Sequence, residues 1–287
     1  MPTSEPFDLL LENLRLENLD SMAEKFKTIT KRLNTDFRNF PSNSDYSKLV
    51  GPVGRGTAIR TTNTVDMYIR LPGSLYDQYN ALPDNGQLHL LVAVKDSLVK
   101  AYPDRAITIQ DHTISIPFAD MTFRVTPIVQ LDDGDYVCPD SAQGGQWLPS
   151  TQLSEVEAIN QANHTYKRQV KDLARIAHAW RETWQIPLSH LLLDTLIVHF
   201  LHTRAGEDSV SFHQQMADFL TYLAQLDPHQ DTWPAIGSEQ PLKKDGLFTA
   251  QAQESAQLVQ QAIDLEAAGD SAQAAAAWKK IFGVYYP

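Results

Sequence analysis

One cysteine, Cys138, leaves nothing for an internal disulfide, so the fold has to rest on its core. A reducing, cytoplasmic setting is the simplest expectation. Long apolar runs are also missing. The most apolar stretch, from Leu191 to Leu201, is interrupted by Asp194, Thr195 and His199. It is too short to span a bilayer and reads as a buried helix. The opening Met-Pro-Thr-Ser-Glu-Pro has no basic stretch leading into an apolar one, so neither a signal peptide nor a membrane partner is expected. Positive charge is scarce: 24 Lys and Arg stand against 35 Asp and Glu, a net −11. Such a surface repels phosphate backbones unless a basic groove is segregated from the rest. No stretch interleaves Lys and Arg with aromatics, so extended nucleic acid is not an expected partner, while one small nucleotide is compatible. No convincing internal repeat is present.

What remains is ordinary material for a core, with 43% apolar and 21% charged residues in 287. Leu19, Met22, Phe26, Ile29 and Leu33 recur at spacings of three and four, which predicts a long helix over 18–37. A break at Pro41 to Asp45 leads to a glycine-rich loop, Gly51 to Thr57. The run Thr64 to Leu71 alternates as a strand, with Val65, Met67, Ile69 and Leu71 on one side and Asp66 and Tyr68 on the other. A helix is expected over 86–101. A hairpin follows around Asp111-His112, then a strand through Phe123 and Val125 that stops near Pro127. Asp132 to Asp135 reads as a turn, and Asp133-Gly134-Asp135 as a solvated hairpin rather than a metal motif. Beyond about residue 150 strand signals cease. Helices are expected over 156–182, from an N-cap at Ser189 to His202, over 211–225, and over 249–268 and 270–282, the last two separated by Gly269.

The informative unit is the glycine-rich loop, a strand carrying positions 66 and 68 on one face, and a second strand presenting position 124. Two-metal phosphoryl transfer needs such a display, because two divalent ions about 4 Å apart must be bridged by carboxylates on rigid strands. His199-x-x-His202 shares a helix face, but without a third close ligand it reads as the polar edge of a buried helix. Cys138 has no paired His motif and is not expected to be a nucleophile.

Gly51-Pro52-Val53-Gly54-Arg55-Gly56-Thr57-Ala58-Ile59-Arg60 followed by Val65-Asp66-Met67-Tyr68 resembles the signature of the bacterial cGAS/DncV-like nucleotidyltransferases, the CD-NTases with a SMODS-type domain. That family shows Gly-Ser, an Arg-Gly-Thr-Ala stretch and an Asp-x-Asp strand. Its third acid falls where this chain has Arg124, in Phe123-Arg124-Val125-Thr126-Pro127. Trp147, Leu173 to Trp180, Ser189 to Asp194 and Trp278 to Gly283 continue the resemblance in order. It implies an α+β fold: a nucleotidyltransferase (polymerase β-like) mixed-sheet catalytic domain over 1–150, packed on a C-terminal helical (oligoadenylate-synthase-like) domain over 151–287, with a long N-terminal spine helix. It also implies nucleotide binding by Gly51, Pro52, Arg55, Thr57, His178 and Ser189, with Mg²⁺ as the expected cofactor.

The departures fall on the catalytic atoms. Pro52 stands in place of the serine and offers neither a hydroxyl nor an N–H. Tyr68 and Arg124 stand in place of two acids, so Asp66 is at most the one metal ligand left. Asp66 and Arg124 on adjacent strands are expected to form a two-pronged ion pair where the metals would sit. The expected function is therefore that of an impaired nucleotidyltransferase homologue in antiphage signalling, a pseudoenzyme that binds a nucleotide or oligonucleotide messenger, or regulates an active nucleotidyltransferase or an effector protein. Two alternatives stand beside it. One is an active enzyme making a cyclic or linear messenger with acids such as Asp120, Asp132 or Asp133. The other is a structural interaction protein without a nucleotide ligand.

Overall fold

The computed structural model describes residues 5–204 and 211–287. The first four residues of the opening read for a signal peptide lie outside them. In chain order the elements are α1 (Glu5–Asn13), α2 (Leu19–Arg38), β1 (Ser47–Val50), α3 (Gly51–Arg55), β2 (Thr64–Leu71), α4 (Ser74–Asn80), α5 (Gly86–Ala101), β3 (Thr108–Gln110), β4 (Thr113–Pro117) and β5 (Thr122–Gln130). There follow β6 (Tyr136–Asp140), β7 (Gln146–Pro149), α6 (Gln152–Thr165), α7 (Gln169–Thr183), α8 (His190–Thr203), α9 (Phe212–Ala224), β8 (Thr232–Pro234), β9 (Pro241–Lys243), α10 (Thr249–Ala267) and α11 (Ser271–Phe282). No helix among the described residues is long and apolar enough to cross a membrane.

Packing divides the chain into two units, one of residues 17–54 and 62–153, the other of the chain up to Leu16, Arg55–Thr61 and Ser154–Pro287. This differs from a single cut at residue 150. The N-terminal segment decides it: Phe7 and Leu10 of α1, and Leu14 just after it, are buried in the same core as the C-terminal helices.

The first unit is built on a mixed sheet. Its order is β1-β2-β5-β4-β3, with β6 on β5 and β7 on β6. Only β2 and β5 run parallel; the other neighbours are antiparallel. A parallel pair needs a long crossover, and α4, α5 and the β3–β4 hairpin supply it. Val65, Met67, Ile69 and Leu71 are buried, as their alternation predicts. Met22, Ile29 and Leu33 of α2 and Leu90, Leu91, Val94 and Leu98 of α5 are buried on the helices that pack against one another and the sheet. The strand expected to stop near Pro127 continues to Gln130. Pro127 falls between the residues paired with β4 and those paired with β6, a place where a missing N–H is tolerated.

The second unit is mostly helical, and there the sequence reading needs two corrections. The helix expected over 156–182 is two helices, α6 and α7, broken at Lys167 and Arg168, which take φ of 52° and 67°. Asn163 makes the break: its carbonyl accepts from Arg168 N at 2.6 Å and its side-chain oxygen from Lys171 N at 3.1 Å. Strands also do not end at residue 150, since β8 and β9 form a small antiparallel hairpin that buries Trp233. Pro234 and Pro241 hide the strand signal in the sequence. Elsewhere the caps are as expected. Ser189 Oγ accepts from Leu192 N at 3.2 Å to start α8. Gly269, with φ of 81°, separates α10 from α11.

Candidate functional site

In the first unit, β2 and β5 position the site. Their parallel register sets Asp66 against Arg124 and Tyr68 against Thr126. Because side chains alternate along a strand, 66 and 68 share a face. Asp66 is buried and Tyr68 is buried beside it. Arg124, with its side chain 48% exposed, donates from Nε to Asp66 Oδ1 at 2.6 Å. This hydrogen bond raises the guanidinium pKa against the opposing effect of its burial. The contact is a single prong rather than the two-pronged pair expected, and both Nη groups of Arg124 are left without a hydrogen bond among the described residues. The glycine-rich stretch 51–55 is a single helical turn rather than a loop. Pro52 sits in its first turn, where a missing N–H leaves no helical bond unmade. Gly51 opens it with φ of 59° and lies against the other oxygen of Asp66.

Arg55, Thr57, His178 and Ser189 belong to the second unit, where the first three meet at one carboxylate. Asp194 Oδ2 accepts from Arg55 Nε and from Thr57 Oγ1, both at 2.8 Å. Its Oδ1 lies 2.8 Å from His178 Nε2. All four residues are buried. Burial pushes the Asp194 carboxyl up, but Arg55 and His178 outweigh it and hold the group well below the usual carboxylate range. Glu155 Oε2 stands 3.8 Å from Arg55 Nη1. The His190 ring lies 4.4 Å from the His178 ring, and burial, with His178 and Arg181 nearby, lowers its pKa to about 3. Ser189 is engaged as the cap of α8. So the side chains of Arg55, Thr57, His178 and Ser189 expected to meet a nucleotide are bonded within the protein. Sequence reasoning missed Asp194 as the common partner of Arg55, Thr57 and His178. Its signal was there, a lone acid inside the apolar stretch 191–201.

Residues 1–163 match the family model of the Second Messenger Oligonucleotide or Dinucleotide Synthetase domain, SMODS. The chain belongs to the SMODS family. Solved CD-NTases share its fold. Against CdnC of E. coli MS115-1, in its complex with HORMA-deltaN, identity is 17% with a TM-score of 0.70, covering 98% of this chain and 96% of that one. Against Bradyrhizobium diazoefficiens CdnG in complex with GTP, identity is 13% and the TM-score 0.67, covering 99% and 96%. Vibrio cholerae DncV with the linear intermediate 5′ pppA(3′,5′)pG gives 14% and 0.68, covering 99% and 87%. No curated protein matches the chain in sequence. The mixed sheet with a helical unit is thus the nucleotidyltransferase fold that the SMODS resemblance implies.

Of the alternative acids, Asp120 and Asp133 are already engaged. Asp120 Oδ2 accepts from Ser21 Oγ at 2.9 Å and from Lys25 Nζ at 3.1 Å. Asp133 Oδ1 accepts from Asp135 N at 3.0 Å inside the turn. Among the described residues no group of three or more His, Cys, Asp or Glu side chains is placed to hold a metal ion. Neither His199-x-x-His202 nor Asp133-Gly134-Asp135 makes one. Cys138 is buried, and burial raises its thiol pKa to about 11.

Proposed function

We propose that this SMODS protein is a catalytically impaired nucleotidyltransferase homologue of bacterial antiphage signalling, which binds a nucleotide or regulates an active nucleotidyltransferase or effector instead of joining nucleotides itself. The observation that carries the reading is the 2.6 Å bond from Arg124 Nε to Asp66 Oδ1. The family implies Mg²⁺, and the donor set does not fit it. One carboxylate oxygen is taken by a guanidinium, the neighbouring position on β2 is a buried phenol, and an arginine adds positive charge where two cations would have to sit. No step of chemistry is routed through a metal here. What the site offers instead is the half-exposed Arg124 guanidinium, whose two remaining nitrogens suit the oxygens of a phosphate. CdnG with GTP and DncV with its linear intermediate make nucleotides the first ligands to try.

The test incubates the pure chain with all four labelled nucleoside triphosphates and Mg²⁺ or Mn²⁺. The expected outcome is no product, together with a nucleotide-dependent rise in melting temperature that does not need metal and is lost in Arg124→Ala. Formation of any cyclic or linear oligonucleotide would falsify the reading. Absence of both product and stabilisation favours the partner-regulating form over the ligand-binding one.

A further inference from the structure

The C-terminal end of β2 holds a second feature, separate from Asp66. Arg70 lies four residues further along the strand, about 13 Å at a rise of 3.3 Å per residue. Here Arg38 of α2, Tyr46, Arg70 and Gln130 line an open cavity of about 260 Å³, all within the first unit. Two guanidiniums share one ring: the Arg38 head lies 3.7 Å from the Tyr46 centroid and the Arg70 head 5.1 Å from it.

Both heads are held by neutral groups. Arg38 donates from Nη2 and Nε to the Arg70 carbonyl at 2.8 and 3.3 Å. Arg70 donates from Nη1 to Gln130 Oε1 at 3.0 Å, and Gln130 Nε2 is anchored on the Gly134 carbonyl at 3.3 Å. Among the described residues neither arginine has a carboxylate within ion-pair distance. The two like charges are therefore uncompensated, in a chain whose net charge is −11. The backbone adds a further sign. Tyr46 takes φ of 61°, strained for a residue with a large side chain, and its carbonyl is held by Arg70 N at 2.7 Å. The strand thus fixes the ring beneath both guanidiniums.

From this geometry we infer that the Arg38–Tyr46–Arg70 cavity is a binding site for a small oxyanion, a phosphate or carboxylate group gripped by the free edges of two guanidinium forks. The chemistry is specific to oxyanions. A planar fork matches two oxygens at once, and an anion between the heads relieves their mutual repulsion. Gln130 fixes one fork without neutralising it, as a site kept open for an anion requires. The cavity is at the small end for ligand pockets, which suits a compact anionic group rather than a whole dinucleotide. The inference does not depend on the Asp66 cleft.

The test titrates the full ¹⁵N-labelled chain with inorganic phosphate and, in a second arm, with succinate, at constant ionic strength. Saturable shifts are expected at the amides of Arg70 and of Gly73 and Leu131, which also line the cavity, in at least one arm, and the tighter arm identifies the group as phosphate or carboxylate. Arg70→Gln is expected to weaken binding about tenfold, the worth of one charge-assisted contact. Arg124→Gln is expected to leave it unchanged, which separates this site from the proposed nucleotide cleft. No saturable shift at these amides in either arm overturns the inference, as does equal affinity in Arg70→Gln. Should Arg70→Gln fail to fold, Arg38→Lys keeps the charge but loses the fork, and the same weakening is expected of it.

Discussion

A methyl group on Gly51 would stand 2.3 Å from Asp66 Oδ2, and the φ of 59° there is one that side chains disfavour. The two costs act together, because the turn that brings Gly51 onto the carboxylate also needs the left-handed backbone. Asp66 cannot swing aside without giving up its bond to Arg124. Gly51→Ala is therefore expected to destabilise the chain by about 1–3 kcal/mol, the range for strain at such a backbone position. Urea unfolding of wild type and variant measures it, and equal midpoints would show that the turn relaxes freely. The residues of this site were legible because a strand's period is strict. Once Thr64–Leu71 is a strand, 66 and 68 share a face, and a slip of one residue in the neighbouring strand would turn its apolar side outward. What could not be read was the number of prongs between Arg124 and Asp66. That is set by side-chain rotamers, and a rotamer leaves no mark in a sequence pattern.

Helices α7 and α8 carry the buried charge. His178 lies on the first, Asp194 on the second, and His190 opens the second with its ring close to that of His178. The groups facing His190 are His178, Arg181 and Arg55, which oppose its protonation, and Asp194, which favours it. Burial dominates and lowers the folded pKa to about 3, against about 6.5 for an unfolded histidine. Between those values the unfolded chain takes up a proton that the folded one does not. The contribution of His190 to stability is thus whole above pH 6.5 and falls as the pH drops, by at most about 1.4 kcal/mol per unit. Denaturant unfolding from pH 7.5 to 4.5 is expected to show this loss, and His190→Gln to flatten it. Parallel pH profiles for the two proteins would refute the assignment. At this scale the sequence showed α8 and the cap at Ser189, since helix periods and caps are local, but it ran α7 together with α6 because the break at Lys167 and Arg168 carries neither glycine nor proline. It did not show the partners of Asp194, because Arg55 lies 139 residues away and no local pattern reports so distant a pairing.

The same distance governs how the chain divides. Composition changes near residue 150, where strand patterns give way to helical ones, and this suggests a cut between two consecutive domains. Packing follows burial instead, and the helical core takes in two earlier segments. Phe7 places its ring edge-on to Trp278 at 5.0 Å and Phe282 at 5.9 Å, while Arg55 and Thr57 satisfy Asp194. A fragment of residues 151–287 would keep Asp194 and lose two of its three donors. A buried charge stripped of its partner costs about 3–5 kcal/mol, and deletion of a core phenylalanine costs about as much again. Together these consume most of the stability of an ordinary domain, about 5–15 kcal/mol. The fragment is therefore expected to lack near-ultraviolet circular dichroism and to bind a hydrophobic dye, while the whole chain unfolds cooperatively. Adding back only residues 5–16 by fusion restores the aromatic contacts but not the Arg55 bond, so partial rescue is the expected result. A fragment with native-like tertiary signals would mean instead that composition marks the boundary better than the buried residues do.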